Sequence, residues 1–437
     1  MIVIFLKYLQ KHQKSAFYFV ALCIVFICIY LPRFTQENGV RKLILQSRSV
    51  HINLTIVQRP TLVGTSEQIK SGVFTISFPQ ESDFKVGDHI EAIGTVDAQV
   101  SEKRKDEIPL ISQSILHVHY FSSSGHLSFV GFLREIEDFC DREMRLFTSL
   151  LGSPHAPLLW GILFGGSSGL TSQFTKEFTL TGLSHVLSAS GFNVVIVLSF
   201  SLSLFMKILP KRLAVFCSLV AIIIYMFFCG FSPPVLRAVI MAAGLLLSTY
   251  TGREYSGQWW LLISSMILLI YQPFYIYSVS FQLTVAASYG LLFLLPLFPQ
   301  VKKRKSVFGE LCMTLEENFW TTVAALTATA PILISTFSSF SLVAIIANTS
   351  LLWLVSPIML FGLVLLFASL ILPLLVLKFV AIPLWILLEV FIQGIGVFSR
   401  VPYASLPFIQ PTFWGVFLYY CILEGWRIYC LAKIKQE

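Results

Sequence analysis

Residues 182–193 read GLSHVLSASGFN and stand at the start of a long apolar run. They include one histidine, three serines and one asparagine, and hydrocarbon offers such side chains no hydrogen-bonding partners. Polar groups at membrane depth therefore face either a protein interior or a water-filled path. The stretch is either a seam where helices pack or the lining of a route through a membrane.

The composition of the whole chain indicates a polytopic membrane protein. Of the 437 residues, 56% are hydrophobic and 12% are charged, whereas soluble domains carry roughly 25% charged residues. Much of the net charge of +8 lies in short clusters beside apolar segments, which indicates topogenic charge facing the cytoplasm. The eight cysteines have neither the spacing of a zinc site nor that of a disulfide framework. We expect no cofactor and no metal.

The first part of the chain divides into three segments. Residues 1–37 combine a basic flank with an apolar run, which predicts an uncleaved transmembrane helix that starts in the cytoplasm. Residues 38–122 alternate apolar and polar positions between turn residues, which predicts about five short strands and an exported OB-like β-barrel domain. Their acidic and basic residues balance, so nucleic-acid binding by this domain stays open. Residues 123–155 predict an amphipathic interfacial helix on the outer leaflet.

Residues 156–437 predict a helical membrane domain. The apolar residues 158–164 are too few to cross about 30 Å, so they predict a re-entrant or half-spanning helix. Residues 340–349, which are short and polar at Asn348, predict a second broken piece. With the first helix, the remaining apolar segments give about ten transmembrane helices and place both termini in the cytoplasm. These segments lie near 183–208, 212–230, 234–251, 258–272, 277–298, 314–336, 350–372, 375–398 and 411–431.

His185 is the polar residue in these spans that most invites a catalytic interpretation. An intramembrane serine protease built on Ser190 needs a histidine base on a later helix, but no histidine follows His185 in the sequence. No carboxylate or cysteine stands at ligand spacing from it, so a metal site is not indicated. Two interpretations stay open: a histidine held by a backbone carbonyl or a serine, and a polar group that lines a permeation path.

Two further polar residues have a packing interpretation and a functional one. Arg237 falls about one turn inside an apolar helix that begins with two prolines, where a charge is expensive unless it pairs or meets water. It either snorkels to the outer interface or is a fixed cation for phosphates near a pore mouth. Gln282 lies in a Ser-, Thr- and Ala-rich segment, which is also a common packing solution in bilayers.

Four stretches, in this order, resemble the ComEC competence family, the inner-membrane DNA channels of natural transformation. The exported OB-like domain before them is also the family's arrangement. The resemblance implies a channel that conducts single-stranded DNA into the cytoplasm, and we expect no enzymatic activity. The stretches are Gly182–Gly191, Gly230–Met241, Ser280–Ala287 and Ala330–Asn348.

The chain departs from the family in two places. After its serine and glycine, the family's signature usually has an apolar residue, a histidine and a glycine, where this chain has Phe192, Asn193 and Val194. Larger members continue into a metallo-β-lactamase-like domain credited with degrading one DNA strand, and no His-x-His-x-Asp-His motif occurs here. The resemblance therefore implies a channel without a nuclease in the same polypeptide.

The resemblance also implies where the DNA path lies and what works with it. We expect a multi-pass protein of the bacterial cytoplasmic membrane, with single-stranded DNA, membrane lipid, an outer DNA receptor, a cytoplasmic motor or helicase, a separate nuclease and a second copy of the chain as partners. Two other functions stay open: a secondary transporter of a small solute with broken midplane helices, and a membrane anchor or assembly protein for the OB-like domain. The predicted path residues are Ser184, His185, Ser190, Gly191, Asn193, Arg237, Gln282 and Asn348.

Overall fold

The structure is a computed structural model that divides into two compact units. The first unit comprises residues 1–131 and 262–278, and the second comprises residues 132–261 and 279–437. Each unit is described by itself below. The structure describes residues 25–35, 50–55, 61–63, 66–71, 74–79, 89–98, 114–124, 128–166, 169–299, 307–337, 339–341, 343–401, 405–407 and 411–434.

The first unit contains a six-stranded sheet. Its strand order is β1-β5-β6-β4-β3-β2, in which β4 and β6 run parallel and the other neighbours are antiparallel. Among the described strands β1 and β2 are the two edges, so the predicted β domain is present while closure into an OB-type barrel stays a prediction. The strands are β1 (Val50–Thr55), β2 (Thr61–Val63), β3 (Ser66–Ser71), β4 (Phe74–Pro79), β5 (His89–Ala98) and β6 (Ser114–Ser124).

A short helix, α1 (Val25–Thr35), also belongs to the first unit. Its Tyr30 hydroxyl donates a hydrogen bond to the carbonyl of Pro273 at 3.2 Å. The rings of Phe34 and Phe274 lie 5.4 Å apart between centroids. Most of the predicted N-terminal helix lies outside the described residues.

Beyond the sheet the chain is helical. A 3₁₀ turn at Ser184–Val186 separates α4 from α5, and a π-helical turn at Gly290–Leu294 follows α9. The short strands β7 (Ser339–Ser341) and β8 (Ser405–Pro407) pair antiparallel. The helices are α2 (Ser128–Leu151), α3 (His155–Phe164), α4 (Ser172–Thr181), α5 (Gly191–Ile208), α6 (Lys211–Cys229), α7 (Pro233–Thr251), α8 (Gly257–Tyr271), α9 (Val279–Tyr289), α10 (Val307–Phe337), α11 (Ala344–Ser369), α12 (Leu374–Ser399) and α13 (Phe413–Ile434).

In the described part of the chain, seven helical segments are long and apolar enough to cross a membrane, where the sequence predicts about ten. The predicted span near 258–272 is the helix α8, whose 15 residues are too few to be counted. The predicted span near 411–431 is α13, which carries Glu424 and Arg427 and is not among the seven. The seven are Gly191–Ile208, Lys211–Cys229, Pro233–Thr251, Val279–Leu297, Cys312–Thr336, Ala344–Ser369 and Leu374–Ser399.

The prediction of a second broken piece at residues 340–349 is wrong for its helical part. Helix α11 runs without interruption from Ala344 to Ser369 and includes Asn348 in its second turn. The Thr349 hydroxyl donates to the carbonyl of Ile345 in the same helix at 2.7 Å. A short polar side chain that finds its partner within its own helix does not interrupt the helix.

Helix α2 uses its amphipathic pattern to cover other helices. Phe147 and Leu151 are buried in the main hydrophobic core. Glu143 is also buried, and its carboxylate accepts a hydrogen bond from the Ser369 hydroxyl at 2.7 Å. The apolar face therefore packs on protein, and the predicted position on the outer leaflet stays a prediction.

Helix α10 contains a proline whose effect a later helix compensates. Pro331 has no N–H group, so the carbonyl of Thr327, four residues earlier, lacks its helical donor. The Tyr419 hydroxyl of α13 donates to that carbonyl at 2.7 Å. The neighbouring Tyr420 hydroxyl donates to the carbonyl of Ala328 at 2.9 Å. These two bonds fix α13 against α10.

Candidate functional site

The half-helix α3 ends inside the protein, and side chains from two later helices bind its last carbonyl groups. The final carbonyls of any helix have no partner within the helix. Here the Asn193 amide of α5 donates to the carbonyl of Ile162 at 2.8 Å, and the Tyr225 hydroxyl of α6 donates to that of Leu163. The predicted short helix is thus present, and α5 and α6 hold its end.

Close backbone packing joins the end of α3 to the stretch before α5. The N–H of Gly166 donates to the carbonyl of Leu187 at 2.8 Å. Gly165 has a φ of +86°, and a Cβ added to it would lie 2.6 Å from the backbone nitrogen of Ala189. Only glycine fits there. The serine-rich stretch is therefore fixed against α3 rather than free to move as a loop.

His185 lies in the 3₁₀ turn before the spanning helix α5. Its Nδ1 is 3.0 Å from the carbonyl oxygen of Gly182, and because a carbonyl only accepts, the N–H is on Nδ1. The side chains of Ser184, His185 and Ser188 are exposed, although dense surrounding protein desolvates the imidazole and lowers the pKa of His185. The structure has the backbone contact of the first interpretation, and the interpretation that His185 lines a permeation path stays a prediction.

Asn193 and Ser190 have structural contacts in the same turn. The Asn193 side chain is buried at 4% exposure, and its Oδ1 accepts a hydrogen bond from the Ser190 hydroxyl at 3.0 Å. Its amide joins the end of α3 to the start of α5. The prediction that Ser190 and Asn193 line a DNA path stays a prediction.

Arg237 is a buried cation whose described partners are all neutral. Its side chain is 6% exposed. Nε and Nη2 donate to the Thr284 hydroxyl at 3.0 and 2.7 Å, and Nη1 lies 3.0 Å from the Met241 sulfur. Within the described residues no carboxylate forms an ion pair with it. Burying an arginine without a countercharge in a membrane helix is costly, so a bound anion would stabilise this arrangement.

Gly191 faces the same guanidinium. A Cβ added to Gly191 would lie 3.5 Å from Nη2 of Arg237 and 3.4 Å from the Ala238 methyl group. Ser190 precedes α5 but makes no side-chain cap to its first N–H groups. The positive end of the α5 dipole therefore lies close to the cation. A helix N-terminus beside a buried arginine is an arrangement that favours an oxyanion.

Three of the four sequence stretches meet at Arg237. Gly191 comes from the first stretch, Arg237 from the second and Thr284 from the third. Of the predicted path residues, the structure brings Gly191 and Arg237 together. Gln282 is half-buried on α9, two positions from Thr284 and thus turned by about 200° around the helix.

Asn348 is buried at 5% exposure on α11. Its Oδ1 has no hydrogen-bond partner among the described residues. Ala344, one turn earlier, packs so closely on Gly182 that an added Cβ there would lie 2.6 Å from the Ala344 methyl group. Asn348 therefore lies on the helix that contacts the first stretch, and its role on a path stays a prediction.

Sequence reasoning missed Thr284 and Tyr225. Thr284 stands within a recognised stretch, but the sequence does not reveal which face of α9 turns towards Arg237. Tyr225 lies in an apolar run without a motif. A tyrosine hydroxyl inside such a run needs a partner, and that was the available signal.

Comparisons with known proteins identify the family of this chain. The family model described as "Competence protein" matches residues 162–432. ComE operon protein 3 of Bacillus subtilis (strain 168) is 23% identical over 201 residues, 46% of this chain and 25% of that protein. An uncharacterized protein of Aquifex aeolicus (strain VF5) is 30% identical over 202 residues, 46% of this chain and 45% of that protein. The chain thus matches less than half the length of either relative.

No solved structure matches the chain. The region matched by the family model contains all four sequence stretches and all seven of the helical segments that, among the described residues, are long and apolar enough to cross a membrane. This multi-pass helical chain belongs to the competence protein family.

Proposed function

We propose that this chain is a membrane channel that conducts single-stranded DNA into the cytoplasm during natural transformation. One observation carries the proposal: the buried Arg237 has no described carboxylate partner and lies where α5, α7 and α9 meet. A phosphate backbone needs cations and polar groups along a wet path. Membership of the competence family supports the same function.

The contacts suggest how the path is built. Thr284 accepts from both Nε and Nη2, so it fixes the plane of the guanidinium and leaves the remaining N–H groups for a phosphate oxygen. The exposed side chains of Ser184, His185 and Ser188 offer neutral donors and acceptors nearby in sequence. Neutral groups of this kind bind a phosphodiester weakly, and a strand that must move on needs weak contacts.

The proposal includes the surroundings of the channel. The sheet of the first unit is an exported OB-like domain, and both termini are cytoplasmic. The driving force comes from a motor or helicase inside, because the sequence has no GxxxxGK[ST] motif. A DNA receptor outside and a separate nuclease complete the pathway, and a second copy of the chain joins it in the membrane. The chain itself acts without catalysis and without a cofactor.

The test replaces Arg237 and measures uptake of labelled DNA per molecule of protein in the membrane. Arg237→Gln removes the charge, and we expect uptake to fall by about tenfold or more, because a hydrogen bond to a charged group contributes about 1.5–3 kcal/mol. Arg237→Lys keeps the charge but cannot make the paired contact with Thr284, so uptake should fall less. Arg253→Gln, an exposed arginine just after the same helix, is the matched control and should leave uptake unchanged.

The same variants separate the other two functions. A membrane anchor for the OB-like domain needs only a folded protein, so Arg237→Gln at normal abundance would support normal uptake. A solute transporter would move its solute in the absence of DNA. DNA-dependent conductance of liposomes that contain the purified chain, lost in Arg237→Gln, supports the channel. Normal uptake and conductance in that variant refute it.

A further inference from the structure

A histidine on α3 and a glutamate on α12 form a pair that shares no residue with the contacts of Arg237. His155 is the first residue of α3 and is 7% exposed. Its Nε2 lies 2.8 Å from Oε2 of Glu389 on α12. The Gln393 amide donates to the other carboxylate oxygen at 2.7 Å. The indole of Trp385 stacks on the imidazole with 5.1 Å between ring centroids.

The carboxylate belongs to a helix that can cross the membrane. Glu389 lies 15 residues after the first residue of α12, Leu374, and 10 before the last, Ser399. Its side chain is 33% exposed. The exposed residues beside it on α12 are apolar, namely Ile386 and Val390. A helix face of this kind contacts lipid, so Glu389 stands at the lipid-facing surface near the middle of a span.

Two opposing influences act on this carboxyl group. Contact with hydrocarbon favours the neutral acid, because an isolated carboxylate is very costly there. The two hydrogen bonds from His155 and Gln393 and the nearby N-terminus of α3 favour the carboxylate. A carboxyl group whose surroundings favour the acid in one respect and the carboxylate in another can gain and lose a proton, whereas a carboxylate paired with arginine stays ionised.

We infer that His155 and Glu389 form a proton-binding site at the lipid-facing surface of the helical unit. In the unprotonated pair the Glu389 carboxylate accepts from the Nε2–H of a neutral imidazole. When a hydronium ion forms an N–H bond at Nδ1 of His155 and leaves a water molecule, the Nε2 proton moves to the carboxylate, so that an N–H bond breaks as the O–H bond forms. The acid then donates to Nε2, and loss of the Nδ1 proton to water reverses the step, so the pair stays in contact in both states while its charge changes.

Charged residues also lie on the elements packed around this pair. Helix α11 has no charged residue. The described charged residues of the other elements are Lys176 and Glu177 on α4, Lys211 and Arg212 on α6, Lys378 on α12, and Glu135, Asp138, Asp141, Arg142, Glu143 and Arg145 on α2. The Glu143 carboxylate accepts hydrogen bonds from Arg142 and Ser369. The described hydrogen bonds to the Glu389 carboxylate come from His155 and Gln393 alone.

The site has a direct mechanical connection to the first sequence stretch. His155 ties the first residue of α3 to α12, and Asn193 and Tyr225 tie its end to α5 and α6. A change of charge at Glu389 therefore acts on the half-helix against which residues 187–193 are packed. The effect of proton exchange at the lipid-facing surface would be transmitted to residues 187–193 through α3, a single helix of ten residues.

The test is labelling of the whole purified protein with dicyclohexylcarbodiimide, which enters hydrocarbon and reacts with protonated carboxyl groups. We expect mass spectrometry to find the label on Glu389, with labelling that decreases as the pH rises from 5.5 to about 9. Glu424 is the internal control, because it is 41% exposed but lies 2.7 Å from Arg427 and should stay unlabelled. Glu389→Gln should remove the label.

A second variant tests the histidine. His155→Leu removes the hydrogen bond from Nε2 that favours the carboxylate, so the pH of half-maximal labelling of Glu389 should rise. Equal labelling of Glu389 and Glu424, or labelling by a water-soluble carbodiimide alone, would overturn the inference and leave a structural pair. The experiment contains no DNA, so its failure is independent of the proposed channel.

Discussion

Replacing Asn193 with leucine should loosen the half-helix α3 from the bundle. The leucine cannot donate to the buried carbonyl of Ile162, which the Asn193 amide binds at 2.8 Å. A buried carbonyl without a partner costs about 1–3 kcal/mol. The Ser190 hydroxyl also loses its acceptor, but Ser190 is only half-buried and can turn to water, so it adds little.

The measurement is thermal unfolding of the purified protein in detergent. A loss of about 1–3 kcal/mol lowers the melting temperature by roughly 2–12 °C, from the scale of 2–4 °C per kcal/mol for domains of 150–250 residues. Asn193→His keeps an N–H donor and should recover most of the loss. Ser201→Ala is the control on the same helix, because its hydroxyl bonds only to the carbonyl of Leu198 at 3.1 Å, and it should change the melting temperature little.

Two outcomes would refute this reasoning. If Asn193→Leu melts at the temperature of Ser201→Ala, the bond to α3 contributes nothing measurable. If Asn193→His is no more stable than Asn193→Leu, the donor is not the property that the position requires.

Three further predictions concern other contacts. Tyr419→Phe should destabilise the protein by about 1–3 kcal/mol in thermal unfolding. The loss should be smaller in a Pro331→Ala background, because the alanine N–H supplies the missing helical bond, and equal losses in both backgrounds would contradict the assignment. Gly244→Ala should lower the melting temperature strongly, because the new Cβ would lie 2.1 Å from the Trp260 ring, and a Trp260→Leu variant should tolerate it. Desolvation by the surrounding protein lowers the pKa of His185 below its ordinary 6.5, so the unfolded chain binds that proton more readily and stability should fall as the pH drops below about 6.5. A His185→Gln variant that loses as much stability between pH 7 and 5 would count against this.

Local sequence signals predict the short helix and the positions of most apolar helices, although the described part of the structure has seven segments that can cross a membrane where about ten are predicted. The seven apolar residues at 158–164 are too short to span, and the structure has a buried half-helix there. Gly191 and Arg237 are two of the eight predicted path residues, and they lie together, while their place on a path stays a prediction. Both predictions depend on length, glycine content and the cost of a buried charge, which are properties of a segment by itself.

Partners that lie far apart in the chain could not be predicted in this way. Thr284 is 47 residues from Arg237, and Glu389 is 234 residues from His155. Hydrophobic periodicity shows which face of a helix is apolar but not which helix it meets. The wrong prediction at Asn348 has a related cause. A polar residue in an apolar run suggests that the helix is broken there, but the structure has one continuous helix.

The capping of α3 by later helices bears on how the protein is made. The carbonyl of Ile162 accepts its hydrogen bond from a side chain 31 residues later in the sequence, and that of Leu163 from a side chain 62 residues later. A ten-residue helix with unpaired carbonyls has no stable place in the lipid by itself. We therefore expect α3 to remain outside the hydrocarbon during synthesis until α5 and α6 emerge, so that the three helices enter the bilayer as one group.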